Sequence, residues 1–249
     1  MNKPAPYKWY AFVPNLITLL NLVCGTIAIY FAIQHKIEVA LSLMFAGALF
    51  DFIDGLTARL LKVSGELGKQ LDSLADVITF GLLPTAMIFS VQQNLLLEKA
   101  GSYDHFSFLQ WGLLISPILI AAFSALRLAK FNIDTRQSHS FIGLPTPANA
   151  LFFASMSWSI VYGNNLVTTV TSNSITLFIL TIIFSLLLVS EVPMFSLKFS
   201  SLKGKENVIR YIFLVCSLFL ILLLKISGIT AVVLLYIVIS FLNNLFVKK

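Results

Sequence analysis

Asp51-Phe-Ile-Asp54-Gly55-Leu-Thr-Ala58-Arg59 closes the apolar run Leu41–Phe50, and Gly68, Asp72 and Asp76 follow it. Four carboxylates, three small residues and an arginine thus lie inside or beside strongly apolar sequence. An aspartate at the centre of a membrane helix costs about 2.5–3.5 kcal/mol on insertion scales, so two in one helix cost roughly 5–7 kcal/mol if unpaired. A cost of that size marks partners and function.

Helical spacing makes one cluster of the four. Asp51 and Asp54 are i, i+3, Asp72 and Asp76 are i, i+4, and each pair shares a helix face. Ser64-Gly65 reads as the break between two helices, with Ser64 as N-cap and Glu66 in the next first turn. At about 1.5 Å per residue, both pairs lie roughly 15–20 Å from that turn. An antiparallel hairpin therefore sets all four carboxylates at similar depth, facing one another. Four facing carboxylates need compensation. Hard oxygen ligands suit Mg²⁺ or Mn²⁺, and two such ions would neutralise the four side chains. Divalent ions of this kind handle phosphate-bearing substrates. Gly55, Ala58 and Gly68 remove bulk beside the acids, and Arg59 offers a fork suited to phosphate. As plain helix-end charges paired with Arg59, Lys62 and Lys69, the acids would need no fixed spacing to the small residues.

The rest of the chain reads as the scaffold. Of its 249 residues 58% are hydrophobic and 11% charged, and the mean hydropathy is +0.90. That composition excludes an ordinary soluble domain and points to an all-α polytopic membrane protein. About eight apolar segments are expected, near residues 13–34, 37–61, 70–93, 108–130, 146–163, 174–191, 208–225 and 228–246, in a single integral membrane domain over 1–249. The first segment runs too far for a signal-peptide core and is expected to be the first span. With both termini cytoplasmic, all of the 17 Lys and Arg residues except Lys36, Lys99 and Lys225 fall on the cytoplasmic side. The net charge of +6 fits loop charges and anionic headgroups, not nucleic acid. Cys24 and Cys216 lie in apolar segments, so no disulfide framework is expected.

Three further stretches carry polar residues. Asn15, Thr18 and Asn21 form a stripe on the first segment, suited either to interhelical hydrogen bonds or to a substrate. Phe80-Gly-Leu-Leu-Pro84 predicts a kink in the third span. In Ser124-Ala-Leu-Arg127-Leu-Ala-Lys130-Phe-Asn132, Arg127 lies on a face with Ser124 and Phe131 and is expected to meet an anion. Lys130 reads as an interfacial anchor, and Asn132 as a substrate contact or a loop cap.

The spacing Asp-x2-Asp-Gly-x2-Ala-Arg-x8-Gly-x3-Asp-x3-Asp, from Asp51 to Asp76, resembles the signature of the CDP-alcohol phosphatidyltransferases at every fixed position. The Ser124–Asn132 stretch, with Phe141-Ile-Gly-Leu-Pro145-Thr-Pro147-Ala-Asn149 and Ser190-Glu191-Val-Pro193, is similar to the phosphatidylserine synthase branch of that family. Lys130 departs from it, since Arg is more usual there. The resemblance implies a membrane enzyme that moves a phosphatidyl group from CDP-diacylglycerol to L-serine and releases CMP. It also implies metal ions held by Asp51, Asp54, Asp72 and Asp76, with Asp76 as the base. The CDP moiety would lie along Asp54, Gly55, Ala58, Arg59 and Gly68, with the lipid phosphate or serine at Arg127 and Asn132. A homodimer in the cell membrane is the expected assembly. Alternatives within the family are glycerol 3-phosphate, inositol phosphate or choline as acceptor, or an ether-lipid donor. Outside it, a cation transporter could use the same acids, though no internal repeat supports one.

Overall fold

The computed structural model describes residues 10, 12–63, 65–134, 141–163, 166–195 and 207–247. Ser64, His139 and the basic residues Lys3, Lys8, Arg136, Lys198, Lys203, Lys205, Lys248 and Lys249 lie outside the described residues.

Helices α1 (Phe12–Ile33) and α2 (Ile37–Leu61) form the first hairpin. His35 turns it at φ 59°, and the His35 and Lys36 amides donate to Ala32 O and Phe31 O at 3.0 and 2.9 Å. Lys62, at φ 53°, ends α2 with its amide on the Ala58 and Arg59 carbonyls. Gly65 takes the N-cap position of α3 (Glu66–Asp76), and Glu66 lies in its first turn, where the helix dipole favours an acid.

Helix α3 passes into α4 (Leu83–Ala100) through a π-helical stretch, Val77–Leu82, so that one rod runs from Glu66 to Ala100. The expected kink is this stretch. Pro84 has no N–H to give, and just before it the ladder has widened: the Leu83 amide donates to Ile78 O, five residues back. Thr85 Oγ1 then donates to Gly81 O, one turn back, at 2.9 Å. The stretch is pinned from α1, since Thr79 Oγ1 donates to Asn21 Oδ1 at 2.8 Å. Gly25 permits that approach, because a Cβ there would stand 2.3 Å from Thr79 Oγ1.

Beyond α4, a Ser107–Gln110 capping box starts α5 (Phe108–Ile115), and Ser116-Pro117 separates it from α6 (Ile118–Ile133). Then come α7 (Thr146–Tyr162), α8 (Leu166–Thr171), α9 (Ser174–Val189), α10 (Val208–Leu224) and α11 (Ser227–Val247). Strands β1 (Phe141–Ile142) and β2 (Pro193–Met194) pair antiparallel and hold the approaches to α7 and α10 together. Helix α7 is the most enclosed. Phe152 stacks on Phe184 of α9 at 3.8 Å between centroids, and Ser155 and Ser159 hydrogen-bond Thr230 and Ser227 of α11 at 2.8 Å. Small polar residues of this kind bring membrane helices together where hydrophobic burial cannot.

The protein is an all-α, multi-pass membrane protein. The eight expected segments fall on α1, α2, the α3–α4 rod, α5–α6, α7, α9, α10 and α11. Five of these, Phe12–Ile33, Ile37–Leu61, Glu66–Ala100, Phe108–Ile133 and Ser227–Asn244, are long and apolar enough to cross a bilayer. Helices α9 and α10 are apolar but shorter, at 16 and 17 residues, and α7 has 17. At 1.5 Å per residue, such helices reach about 25 Å, a little less than a ~30 Å hydrocarbon core. Leu222 and Val215 of α10, 74% and 68% exposed, present the kind of face that lipid covers.

Candidate active site

The α2–α3 hairpin brings three of the four expected carboxylates together. One carboxylate oxygen from each of Asp51, Asp72 and Asp76 lies within 4.8 Å of the others. Asp54 is not in this trio. It sits on the neighbouring edge of α2, 5% exposed, with Oδ2 lacking any partner. Asp76 Oδ1 is likewise buried without a partner.

Three ionised carboxylates at this spacing repel by about 3 kcal/mol per pair at an effective dielectric near 20. The donor set fits a hard divalent cation: carboxylate oxygens only, converging from two helices, with unsatisfied buried lone pairs beside them. Arg59 does not compensate them. It is exposed, and its Nε donates to Gly55 O at 2.9 Å within its own helix.

A cleft of ≈ 230 Å³ opens beside the acids, lined by Asp54, Gly55, Ala58, Gly68 and Asp72 from the hairpin. Arg59 is not among its lining residues. A Cβ on Gly55 would meet nothing within 4 Å, whereas one on Gly68 would come 3.1 Å from Asn15 Oδ1. Helix α1 forms the opposite wall through Pro14, Asn15 and Thr18. The polar stripe therefore divides: Asn15 and Thr18 face the cleft, and Asn21 bonds Thr79 between helices. Lys69, which the sequence offers only as a charge partner of the acids, also lines the cleft.

The second polar stretch meets the hairpin at two points. Asn132 Nδ2 donates to Ser73 Oγ at 2.7 Å, and Lys69 Nζ donates to Asn132 O at 2.8 Å. The end of α6 is thereby tied to the helix that carries Asp72 and Asp76. Deeper along α6, Arg127 is 7% exposed, with Nη1 donating to Thr146 Oγ1 at 3.3 Å and its guanidinium 5.3 Å from the Phe131 ring centroid. Its Nε has no partner, and Asp76 lies within electrostatic range. Arg127, Lys130, Leu188, Ser190 and Glu191 line a second cavity of ≈ 320 Å³. Thr146 and Glu191 stand in the stretches that carry the family resemblance, but helical spacing assigns neither of them to Arg127, since both arrive from distant segments.

Fold and site together define a multi-pass helical membrane enzyme with a carboxylate cluster beside a polar cleft. The profile of the CDP-alcohol phosphatidyltransferases matches residues 11–237, and the chain belongs to that family of phosphotransferases. It is 34% identical over 148 residues to the CDP-diacylglycerol–serine O-phosphatidyltransferase of Bacillus subtilis (strain 168), covering 59% of this chain and 76% of that protein. The enzyme of the same name from Helicobacter pylori (strain ATCC 700392 / 26695) is 35% identical over 140 residues, covering 55% of this chain and 54% of that protein. An archaetidylserine synthase of Methanothermobacter thermautotrophicus is 32% identical over 146 residues, covering 57% and 56%. The chain thus spans about half the length of the last two.

Proposed function

We propose that the protein transfers the phosphatidyl group of CDP-diacylglycerol to L-serine, giving phosphatidylserine and CMP. The observation that carries the reading is the convergence of Asp51, Asp72 and Asp76 within 4.8 Å beside the cleft. The choice of serine is supported by the similar proteins above, all of whose names contain serine.

In this reading Asp51, Asp54, Asp72 and Asp76 would hold divalent ions, Mg²⁺ or Mn²⁺. Such ions, when bound, neutralise the pyrophosphate and stabilise the charge on departing CMP. The cleft takes the cytidine nucleotide along Asp54, Gly55, Ala58 and Gly68. Arg59 reaches its phosphate after releasing Gly55 O. The serine hydroxyl attacks the phosphatidyl phosphorus, a new P–O bond forms, and the bond from that phosphorus to the bridging oxygen breaks. CMP leaves with that oxygen. Asp76 takes the hydroxyl proton, which a weak nucleophile must shed at neutral pH. Arg127 draws an anionic group of the substrates towards Asp76, and Asn132 fixes the carboxylate helix through Ser73. The site faces the cytoplasm of the cell membrane, the side favoured by the basic residues.

The test is CMP release by purified protein from CDP-diacylglycerol and Mn²⁺ with serine, with glycerol 3-phosphate, or with no acceptor. Serine-dependent release that Asp76→Asn abolishes is expected. Release with glycerol 3-phosphate alone overturns the acceptor. No release under any condition, from folded protein, overturns the enzyme reading in favour of an ion site.

A further inference from the structure

We infer that Asn149, with Ser124 and Ser185, forms a recognition tier for the acceptor one helical turn further into the protein than Arg127. Three helices meet around Arg127. Arg127 belongs to α6, Thr146 of α7 bonds it, and Leu188 of α9 lines the same cavity. Helix α6 runs outward to the end where Asn132 meets Ser73, α7 leads back inward, and α9 runs outward again to the cavity. Three residues inward along each helix, on the same face by i, i+3 spacing, stand Ser124, Asn149 and Ser185.

These three are 0%, 0% and 1% exposed, and Ser124 Oγ, Ser185 Oγ and both Asn149 amide atoms lack a partner among the described residues. Buried serines of α7 satisfy themselves, whereas Ser174 of α9 also lacks a partner among the described residues. Ser155, Ser157 and Ser159 each donate to the carbonyl four residues back, at 2.6, 2.8 and 2.7 Å. Ser124 and Ser185 do not. Asn149 leaves two donors and two acceptor positions open, which a buried side chain does at a cost unless something occupies them. The tier also borders the rod of the carboxylates, since a Cβ on Gly81 would stand 3.2 Å from Ser124 Cβ.

Neutral acceptors and donors beneath a guanidinium suit a small zwitterion. The carboxylate goes to Arg127 Nε, and the ammonium to Asn149 Oδ1 and the two hydroxyls. This assignment rests on the serine reading of the same site. Sequence periodicity places Ser124 on the Arg127 face but cannot bring in Asn149 or Ser185, because each belongs to a different helix.

The experiment compares wild type, Asn149→Leu and a Ser124→Ala/Ser185→Ala double variant in purified form. Leucine is close in size to asparagine and leaves no unsatisfied polar atom. The tier predicts that Asn149→Leu raises the serine KM by about tenfold or more, the loss of a contact to a charged group, with the CDP-diacylglycerol KM within about twofold and Tm equal or higher. An asparagine held in place by structural water predicts the reverse: a lower Tm, with both KM values moving together or neither. That result overturns the proposal. If Asn149→Leu does not fold, the double variant decides by the same KM split. Wild type that uses glycerol 3-phosphate and not serine overturns the serine reading itself. Serine-dependent wild type with unchanged serine KM in the variants overturns the tier alone.

Discussion

Asn132 on α6 and Ser73 on α3 are joined by a 2.7 Å hydrogen bond from Nδ2 to Oγ, across 59 residues of sequence. Ser73 immediately follows Asp72, so the bond fixes how the carboxylate helix is rotated. Lys69 Nζ on Asn132 O adds a second link that survives any change of the Asn132 side chain. Asn132→Ala removes about 1 kcal/mol of hydrogen bonding, so the fold is expected to persist. A carboxylate displaced by even a fraction of an ångström catalyses less well. The expected result is a fall in kcat of about tenfold with the CDP-diacylglycerol KM little changed. A variant with wild-type kcat refutes the positioning role.

Gly68 lines the cleft opposite Asn15 of α1. A Cβ there already presses on Asn15 Oδ1 at 3.1 Å, and a larger side chain fills the space between α1 and the hairpin. Gly68→Val is expected to raise the CDP-diacylglycerol KM by about tenfold or more while leaving the serine KM near wild type. Gly112→Ala on α5, where a Cβ meets nothing within 4 Å, is the neutral control. Equal effects on both KM values would separate the cleft from nucleotide binding.

Thr79 is the pin between α1 and the π-helical stretch. Thr79→Val keeps the shape but leaves Asn21 Oδ1 without its 2.8 Å donor, and Asn21 Nδ2 already lacks a partner. Stranding a buried acceptor costs about 1–3 kcal/mol, which for a chain of this size lowers Tm by roughly 2–10 °C. Differential scanning fluorimetry in detergent measures it. An unchanged Tm would mean that packing alone holds the stretch.

Much of the site is legible in the sequence because its geometry is local. Asp72 and Asp76 share a face by i, i+4 spacing, and the hairpin brings Asp51 to them. Gly55, Ala58 and Gly68 line the cleft for the same reason. The placing of Asp54 was not legible. Three residues of helix rotate it about 60° from Asp51, enough to turn it towards α1, and periodicity cannot say that α1 covers that edge. Asn21 and Asn15 look alike in the sequence, yet one bonds a helix and the other faces the cleft. The choice depends on Thr79, which arrives from a different span. Asn132 reads equally well as ligand or cap until α3 is seen beside it.

The carboxylate trio makes the strongest claim on a metal, and removing side chains one at a time tests its geometry. Asp72→Asn takes away one of the three converging oxygens that lie within 4.8 Å, whereas Asp54→Asn changes a carboxylate outside that group. A ligand at 100 times its Kd stabilises a folded protein by about 2.7 kcal/mol, or roughly 5–10 °C in Tm at this chain length. Wild type is therefore expected to show a Mn²⁺-dependent rise in Tm of that order, reversed by EDTA. Asp72→Asn is expected to lose most of the rise, because two remaining carboxylates cannot enclose the ion. Asp54→Asn is expected to keep part of it, because Asp51, Asp72 and Asp76 still converge. Equal loss in both variants would mean that Asp54 swings in to complete a four-carboxylate site on metal binding. Retention in both would place the ion elsewhere.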